Sequence, residues 1–476
     1  MKGAENIRSE YTCYIPQNLD VDKMLLENPP SFKCYRDNFV YIISLIYSIP
    51  YHNKDFKLEK SNGFVPINST ILQGRIHGYA EYMKYLLDNN IFVTDNKYSN
   101  YSSTSKSYGY KFSEQYNKAI AVPVKITKPT LIKNIIKKST PKKGYLSVTP
   151  LEDVAYLTKW FNPNFQIDMR GVEDYLNQLL EQEKQDPETK SYAVSKYNYR
   201  RIGAEILHSQ EYNLSVDTTS GRFHSPLTRL KSELRKFITY DGKKLISLDL
   251  KNSQPFLSLV FTDIELFRKN KVKDIVSIYN KNFVSKMLDY KSNPIPSPHL
   301  VRLEQAIINS SKQPDMMEYI KSVSEGSFYE DWAWDSGKYG YNPFPELNSN
   351  PRSEAKNEIF HILFGSNTAI GSNKNIRWFS NLHDSIYYIF YLVKQGKEHH
   401  NALACTLQNI ESKLIIHWVC KTVAENNPEI PLFTIHDSIA TTEEYVDYVE
   451  QVMKDIIKDA IGVEPMIKRE AWEKSE

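Results

Sequence analysis

Two aspartates stand where the pattern of a buried β-strand breaks off, and they are residues of this chain that could do chemistry. Asp249 lies between Leu248 and Leu250 in KKLISLDLKNSQ, and Asp437 follows the apolar run of PLFTIHDSIATT. A carboxylate in apolar surroundings is costly unless it is paired, hydrogen-bonded or bound to a metal. Two of them on neighbouring strands could hold two divalent cations about 4 Å apart, the arrangement used for phosphoryl transfer. Oxygen-only ligands predict two Mg²⁺ ions, with Mn²⁺ as the alternative, and not zinc.

A segment rich in cations and aromatic rings separates the two aspartates in the chain. Pro351 suits the start of a helix, and Arg352, Lys356 and Phe360 follow at intervals of four. This spacing places two cations and an aromatic edge on one helix face. Such a face could meet a triphosphate and stack on a base or sugar through Phe360 or Phe364. The alternative is an ordinary solvated basic helix.

The net charge of the whole chain is only +3, but its distribution is uneven. Between Glu114 and Glu152 there is no acidic residue, and this interval is rich in lysine. Such a run attracts phosphates, or it is simply a solvated linker. Pro123, Pro129 and Pro141 are expected to discourage regular structure in it. The lysines of the interval are Lys118, Lys125, Lys128, Lys133, Lys137, Lys138, Lys142 and Lys143.

The cysteines and the hydropathy indicate the surroundings of the protein. Cys13, Cys34, Cys405 and Cys420 have no CxxC spacing, which predicts reduced thiols and neither disulfides nor a zinc site. No apolar run reaches about 18 residues, and the first residues lack the apolar segment of a signal peptide. We therefore expect a soluble protein of the cytoplasm with no membrane partner.

Residues 35–124 are predicted to form helices followed by a strand, a polar loop and a second strand. Asn68 is placed to cap one of these helices. The order is similar to a winged helix-turn-helix, whose loop could touch a DNA backbone through Lys97, Lys106 and Lys111. The alternative is a helix-and-hairpin unit that does not contact DNA.

Four motifs in the second half of the chain, in the right order, resemble the single-subunit nucleic-acid polymerases, the group of family A DNA polymerases and bacteriophage-type RNA polymerases. The resemblance covers about Ser215 to Trp472, and the first half shows no proofreading exonuclease signature. In motif A, Ser-Gln stands two residues further from the aspartate than in the DNA polymerases. The motifs are TTSGR ending at Arg222, motif A at Asp249 with Ser253-Gln254, motif B from Arg352 to Gly365, and motif C at His436-Asp437-Ser438.

The resemblance implies an α+β fold of the right-hand polymerase type, with an antiparallel-sheet palm, helical fingers and a helical thumb-like segment. An N-terminal domain of the winged-helix type would precede it. The domains expected on this basis are an N-terminal extension (1–34), the winged-helix domain (35–124), a Lys-rich linker (125–145), a helical thumb-like region (146–214), and the palm and fingers (215–476).

The resemblance also implies a role for each motif residue. Asp249 and Asp437, with the Leu250 carbonyl, would bind the metal ions. Arg352 and Lys356 would neutralise the triphosphate and the leaving group. For His436 and Gln408, a structural role in the core is the alternative. The remaining assignments are nucleotide binding by Phe360, Phe364, Gly365, Phe256 and Gln254, and primer or template binding by Arg222, Gln408 and His436.

The signals for the sugar of the product conflict. His436-Asp437-Ser438 is typical of the RNA polymerases, whereas Phe364 and Phe256 favour deoxyribonucleotides, Phe256 as a steric gate. We expect DNA synthesis from dNTPs on a DNA primer and template. Two alternatives stay open: a bacteriophage-type RNA polymerase with an RNA product, and a DNA-binding replication or mobile-element factor with an inactive polymerase fold. The small size predicts an origin in a phage, plasmid or mobile element.

Overall fold

The computed structural model describes residues 9–53, 56–97, 107–136, 150–279, 298–334, 351–369, 374–395 and 400–473. The chain folds into two compact units, and both helices and antiparallel strands occur in it. The first unit comprises residues 1–142, 166–212 and 229–238. The second comprises residues 143–165, 213–228 and 239–476, so the predicted helical region 146–214 is divided between the two units.

The helices and strands are numbered in chain order. Up to residue 208 they are β1 Tyr11–Pro16, α1 Val21–Glu27, α2 Arg36–His52, β2 Val65–Pro66, α3 Ser69–Arg75, α4 Tyr79–Asp88, β3 Phe92–Thr94, β4 Gly109–Phe112, β5 Ala121–Ile126, α5 Pro129–Ile136, α6 Ala155–Thr158, β6 Phe165–Ile167, α7 Met169–Gln185 and α8 Ala193–His208.

From residue 215 onward the elements are β7 Ser215–Val216, β8 Phe223–His224, β9 Ile238–Tyr240, β10 Lys243–Leu250, α9 Ser253–Leu257, α10 Ile264–Lys269, α11 Val272–Tyr279, α12 Pro298–Ser310, α13 Pro314–Ser324, α14 Phe328–Trp334, α15 Pro351–Phe364, α16 Lys374–Leu382, α17 Asp384–Val393, α18 Ala402–Ser412, α19 Lys421–Asn426, β11 Phe433–Ile435, β12 Ser438–Thr442, α20 Val446–Ile461 and β13 Ile467–Ala471. A π-helix at Lys413–Cys420 joins α18 to α19.

Helix α2 is central to the hydrophobic core of the first unit, because its middle turns are apolar on every side. Phe39 packs on the rings of Tyr82 and Tyr85 with centroid separations of 4.7 and 5.0 Å. The buried amide of Asn38 donates to the Tyr82 hydroxyl at 2.9 Å, which satisfies a polar group inside this core.

The helices and the hairpin predicted for residues 35–124 are present, but the electrostatics of α4 do not favour DNA binding. Asn68 caps α3 as predicted, accepting from Ile71 N at 3.0 Å, and the strand order is β2-β4-β3. The exposed face of α4 carries Glu81, Lys84 and Asp88, which gives it no excess of positive charge. Contact with DNA in this region therefore stays a prediction.

The lysines expected at the hairpin differ in their surroundings. The Lys111 ammonium lies 4.3 Å from the centroid of the Phe64 ring. Lys97 is exposed, and Lys106 lies outside the described residues. The hairpin therefore presents one exposed lysine in the part of the chain that the structure describes.

Prolines do not keep the start of the predicted linker irregular, contrary to expectation. β5 pairs antiparallel with β1, with Tyr11 opposite Ile126, so part of the predicted N-terminal extension belongs to the same sheet. Pro129 begins α5, because the first position of a helix needs no N–H donor. Leu131 and Ile132 are buried, which anchors this helix. Residues 137–149, with the remaining linker lysines, lie outside the described residues.

In the second unit, β10 is a central strand, with β12 on one side and β13 on the other, both antiparallel. Leu245, Leu248 and Leu250 are buried along it. β11 and β12 form a hairpin around Asp437, and β13 is the last strand of the sheet in the chain. The sheet thus combines strands from both ends of the second unit.

The cysteine thiols are unpaired, as the sequence predicts: Cys13, Cys34, Cys405 and Cys420 form no disulfide. Among the helices that the structure describes, none has the length and apolar character needed to cross a membrane.

Candidate active site

Strand register brings the two predicted aspartates to one end of the central sheet. β10 pairs with β12 so that Asp249 lies opposite Ser438, the residue directly after Asp437. On the other side of β10, Lys468 of β13 lies opposite Asp249. Directly opposed residues of antiparallel strands have Cα atoms about 4.5–5.5 Å apart. Two segments that are distant in the sequence therefore contribute carboxylates to one place.

A strained loop of two residues presents Asp437. β11 ends at Ile435 and β12 begins at Ser438, so His436 and Asp437 form the hairpin loop. His436 has φ 57°, the positive value that two-residue hairpin loops require and that glycine or asparagine normally supplies. The Ser438 hydroxyl donates to the Ile435 carbonyl at 3.0 Å and helps to close the turn. Backbone strain of this kind is concentrated at functional sites, which supports a role for this loop.

The two aspartates repel each other. The pKa of Asp249 is raised to about 6, first by burial and then by the negative charges of Asp437 and Glu470. The positive charges of Lys356 and Lys468 oppose this rise. The carboxylates are therefore close enough to interact, and the nearby lysines do not fully compensate their charge. A divalent cation bound between them would relieve this repulsion.

The donor atoms of this site suit magnesium. Mg²⁺ is usually held by one or two carboxylates together with waters and substrate phosphates. Asp249 and Asp437 supply two such carboxylates, and Leu250, predicted to contribute its carbonyl, is the last residue of β10. Within the described residues, no group of three or more His, Cys, Asp or Glu side chains could hold a metal. The donor types therefore suit the predicted Mg²⁺ ions, whose binding stays a prediction.

Of the two predicted phosphate-binding cations, one acts on the aspartates in the structure. Lys356 of α15 is close enough to lower the pKa of Asp249, and its ammonium lies 5.4 Å from the Phe360 ring centroid. Arg352 instead donates from Nε to Glu330 at 2.6 Å. The rings of Phe360 and Phe364 are tilted against each other at 5.1 Å. The helix therefore presents Lys356 towards the carboxylates while an ion pair occupies Arg352.

Sequence reasoning missed two residues that support this arrangement. Lys394 is buried and directly follows the last residue of α17. Its ammonium donates to the carbonyls of Ile362 at 2.7 Å and Gly365 at 3.2 Å, so it caps the C-terminal end of α15. Tyr329 of α14 is buried, and its pKa is raised first by this burial. The charges of Arg352 and Asp437 also act on Tyr329. Neither residue stands out in the sequence, because each falls in a mixed apolar segment.

A third buried carboxylate binds two of the predicted ligand-binding residues. Glu411 of α18 is only 1% exposed and accepts from Arg222 Nε and Nη2 at 2.8 Å each. Gln254 also donates to it, at 2.6 Å. Burial raises the pKa of Glu411 to about 8, although Arg222 opposes this and Asp437 adds to it. Contacts of Arg222 and Gln254 with substrates therefore stay predictions, because both groups already have a partner.

Sequence reasoning selected Gln408, one helical turn before Glu411, and Glu411 itself was missed. Gln408 is half-buried, and its carbonyl accepts from the Ser412 hydroxyl at 3.0 Å. A glutamate inside the apolar run of α18 and the π-helix was the available signal. A buried carboxylate in such a run needs a cationic partner, and Arg222 is that partner.

The remaining predicted residues differ in how far their side chains are exposed to solvent. Phe256 is 1% exposed, so its proposed contact with a sugar stays a prediction that requires rearrangement of the ring.

His436 lies with its ring centroid 6.5 Å from that of His224. His224 contacts Asp217 at 3.1 Å. Burial would raise the pKa of Asp217. The contact with His224 and the hydrogen bonds from Ser220 nevertheless hold this pKa well below its usual range.

Comparisons with known proteins give little support beyond this geometry. No protein-family model and no curated protein matches the chain. Among solved structures, the chain is similar to the polymerase domain of Pol1 from M. smegmatis in complex with DNA primer-template and dNTP. The identity is 13% and the TM-score 0.25, and the match covers 62% of this chain and 55% of that one. A likeness this weak carries no argument about the fold or the function of this chain.

Proposed function

We propose that this protein is a template-directed nucleotidyltransferase with the right-hand architecture of a compact family A-like DNA polymerase. The observation that carries the proposal is the pair of mutually repelling carboxylates at the end of β10 and in the β11–β12 loop, with Lys356 beside them. A fold with no use for such a pair could lower its electrostatic cost by replacing one aspartate with a neutral residue.

The proposed reaction extends the 3′ end of a primer with a dNTP. The 3′-hydroxyl oxygen attacks the α-phosphorus, the bond from that phosphorus to the bridging oxygen breaks, and pyrophosphate leaves. The hydroxyl proton passes to solvent. Two Mg²⁺ ions bound by Asp249 and Asp437 would activate the hydroxyl and neutralise charge on the phosphates.

The cations of α15 have distinct tasks in this proposal. Lys356 binds the triphosphate and stabilises the charge that develops on the pyrophosphate. Arg352 donates to Glu330 at 2.6 Å. It must break this ion pair before it can bind a phosphate oxygen. This exchange makes binding of the nucleotide compete with an internal ion pair.

Deoxyribonucleotides are the proposed substrates because Phe364 lacks a hydroxyl that could recognise the 2′-OH of a ribonucleotide. RNA synthesis is the second candidate, because Ser438 stands directly after Asp437 as in the phage-type RNA polymerases. The two candidates share the metal-binding aspartates and differ in the sugar they accept.

Primer extension by the full chain tests the proposal. A primed template with a 5′ overhang is incubated with Mg²⁺ and either four dNTPs or four rNTPs, and the unprimed template is run in parallel. We expect extension with dNTPs only, and only from a primer. Extension with rNTPs would support the RNA polymerase candidate. Failure to incorporate either nucleotide by a folded chain that still binds the template would support the inactive DNA-binding factor.

A further inference from the structure

A cavity of about 640 Å³ lies within the first unit, remote in sequence from the carboxylate pair. Its wall combines the end of α2, residues 56–59, one face of α8, and residues 229–232 together with Arg235. This volume is in the range of cavities that hold small organic ligands. None of the motifs in the sequence indicates it.

Positive charge dominates the wall of this cavity. Of the described residues that line it, Glu59 is the one with a negative charge, and it is paired with Lys196 at 2.7 Å. Arg200 is likewise neutralised, by Glu183 at 2.9 Å. The cationic lining residues are Lys57, Lys196, Arg200, Arg229, Lys231 and Arg235.

Three of these cations have no ion-pair partner, although Lys57 lies near enough to Glu59 to help lower the pKa of that carboxyl. Lys57, Arg229 and Lys231 form no ion pair with any residue that the structure describes. Arg229 is half-buried, which weakens its screening by solvent. Phe56, also half-buried, lines the same cavity and offers an aromatic face.

We infer that this cavity binds the phosphate of a nucleotide, with Arg229, Lys57 and Lys231 contacting the phosphate oxygens and Phe56 stacking on the base. Guanidinium and ammonium groups are the side chains that bind phosphate most strongly. Base stacking on an aromatic ring adds affinity without demanding a particular sequence. The nucleotide comes either from a nucleic-acid strand or from free mononucleotide, and both present the same chemistry.

Fluorescence anisotropy with the full chain in EDTA tests this inference independently of the polymerase proposal, since chelation removes metal-dependent binding at the aspartates. The labelled ligand is a 5′-phosphorylated oligothymidylate, and unlabelled thymidine 5′-monophosphate is the competitor. The variants are Arg229→Glu, Lys231→Glu and the milder Lys57→Gln. The matched control is Lys84→Glu, which reverses an exposed charge on α4 in the same unit.

We expect each charge reversal at the cavity to weaken binding about tenfold. The control should stay within about twofold of the wild type, as expected for an exposed charge away from the site. The slope of log affinity against log salt should fall by about 0.7 for each phosphate contact removed from a single strand. If thymidine 5′-monophosphate displaces the oligothymidylate from the wild type but not from Arg229→Glu, the ligand is a free nucleotide. If the mononucleotide does not displace it from the wild type, the ligand is a nucleic-acid strand. Equal affinities of the folded cavity variants and Lys84→Glu for both ligands would overturn the inference.

Discussion

The carboxylate pair of the second unit and the basic cavity of the first unit pose the same electrostatic problem with opposite signs. Asp437 raises the cost of the charge on Asp249, whereas Lys57, Arg229 and Lys231 line one cavity and form no ion pair among the described residues. Like charges held close together destabilise a fold. A divalent cation would offset the first cost, and a phosphate would offset the second.

Both units also contain charges that are compensated internally, which makes the comparison informative. Arg222 and Glu411 form a buried pair in the second unit, and Arg200 and Glu183 form a half-buried pair in the first. The difference between paired and unpaired groups distinguishes the proposed ligand sites from structural ion pairs.

The largest effect on stability is expected when a buried pair is broken. Glu411→Ala leaves the Arg222 guanidinium and the Gln254 amide without their common partner, which costs about 3–5 kcal/mol of unfolding free energy. Glu183→Ala in the first unit should cost only about 1 kcal/mol, because Arg200 keeps a second carboxylate partner, Glu233 at 3.2 Å. Urea unfolding followed by circular dichroism measures both values. Equal costs would show that the second carboxylate does not compensate Arg200.

A smaller effect is expected from the pH dependence of Asp249. Its pKa of about 6 in the folded protein exceeds its ordinary value of 3.8, so the folded state holds this proton more tightly than the unfolded chain does. The stability that the proton provides is present below about pH 4 and is lost as the pH rises through 6, by about 3 kcal/mol. Without Mg²⁺, the wild type should lose this increment relative to Asp249→Asn over that range. A difference between the two that does not change with pH would contradict the raised pKa of Asp249.

Magnesium should reverse this destabilisation at neutral pH. At a tenfold excess over its dissociation constant, Mg²⁺ should stabilise the wild type by about 1.4 kcal/mol. Thermal unfolding with and without Mg²⁺ measures the gain, and Asp437→Asn should lose most of it. The control is Asp455→Asn, which removes an exposed carboxylate on α20. A gain that is as large in Asp437→Asn as in the control would place magnesium elsewhere.

The smallest effect is expected at the basic cavity. Lys231→Glu removes repulsion among the cavity cations and should raise the unfolding free energy by about 0.5 kcal/mol. High salt should abolish the gain, because it screens exposed charges. Urea unfolding at low and high ionic strength checks this prediction. A loss of stability that persists at both ionic strengths would mean that Lys231 supports the fold through contacts of its own.

The two sites also differ in how well the sequence predicts them. Asp249 and Asp437 could be predicted because each interrupts an apolar strand, and the strands could be predicted from the same run. Glu411 could not, because a glutamate on a helix is ordinary until its burial and its partner Arg222 are known. In contrast, the cavity combines Lys57, Lys196 and Arg229 from three distant segments. No local pattern predicts that such segments meet.

Local rules also explain what was wrong in the predicted linker. The prolines between residues 121 and 136 were expected to prevent regular structure, yet β5 contains Pro123 and α5 begins at Pro129. Proline is tolerated at an edge of a sheet and in the first turn of a helix. Composition indicated a linker, whereas the position of each proline decided the structure.

Incorporation of a single nucleotide tests the central claim most directly. The full chain is mixed with a primed template, Mg²⁺ and one correct dNTP, and Asp249→Asn and Asp437→Asn are compared with Asp455→Asn. Template binding and the unfolding midpoint of each variant are measured in parallel. The carboxylate pair predicts that both site variants bind the template and lose incorporation, by about a thousandfold or more, while the control keeps wild-type activity. Incorporation at the wild-type rate by a folded Asp437→Asn variant would contradict the account.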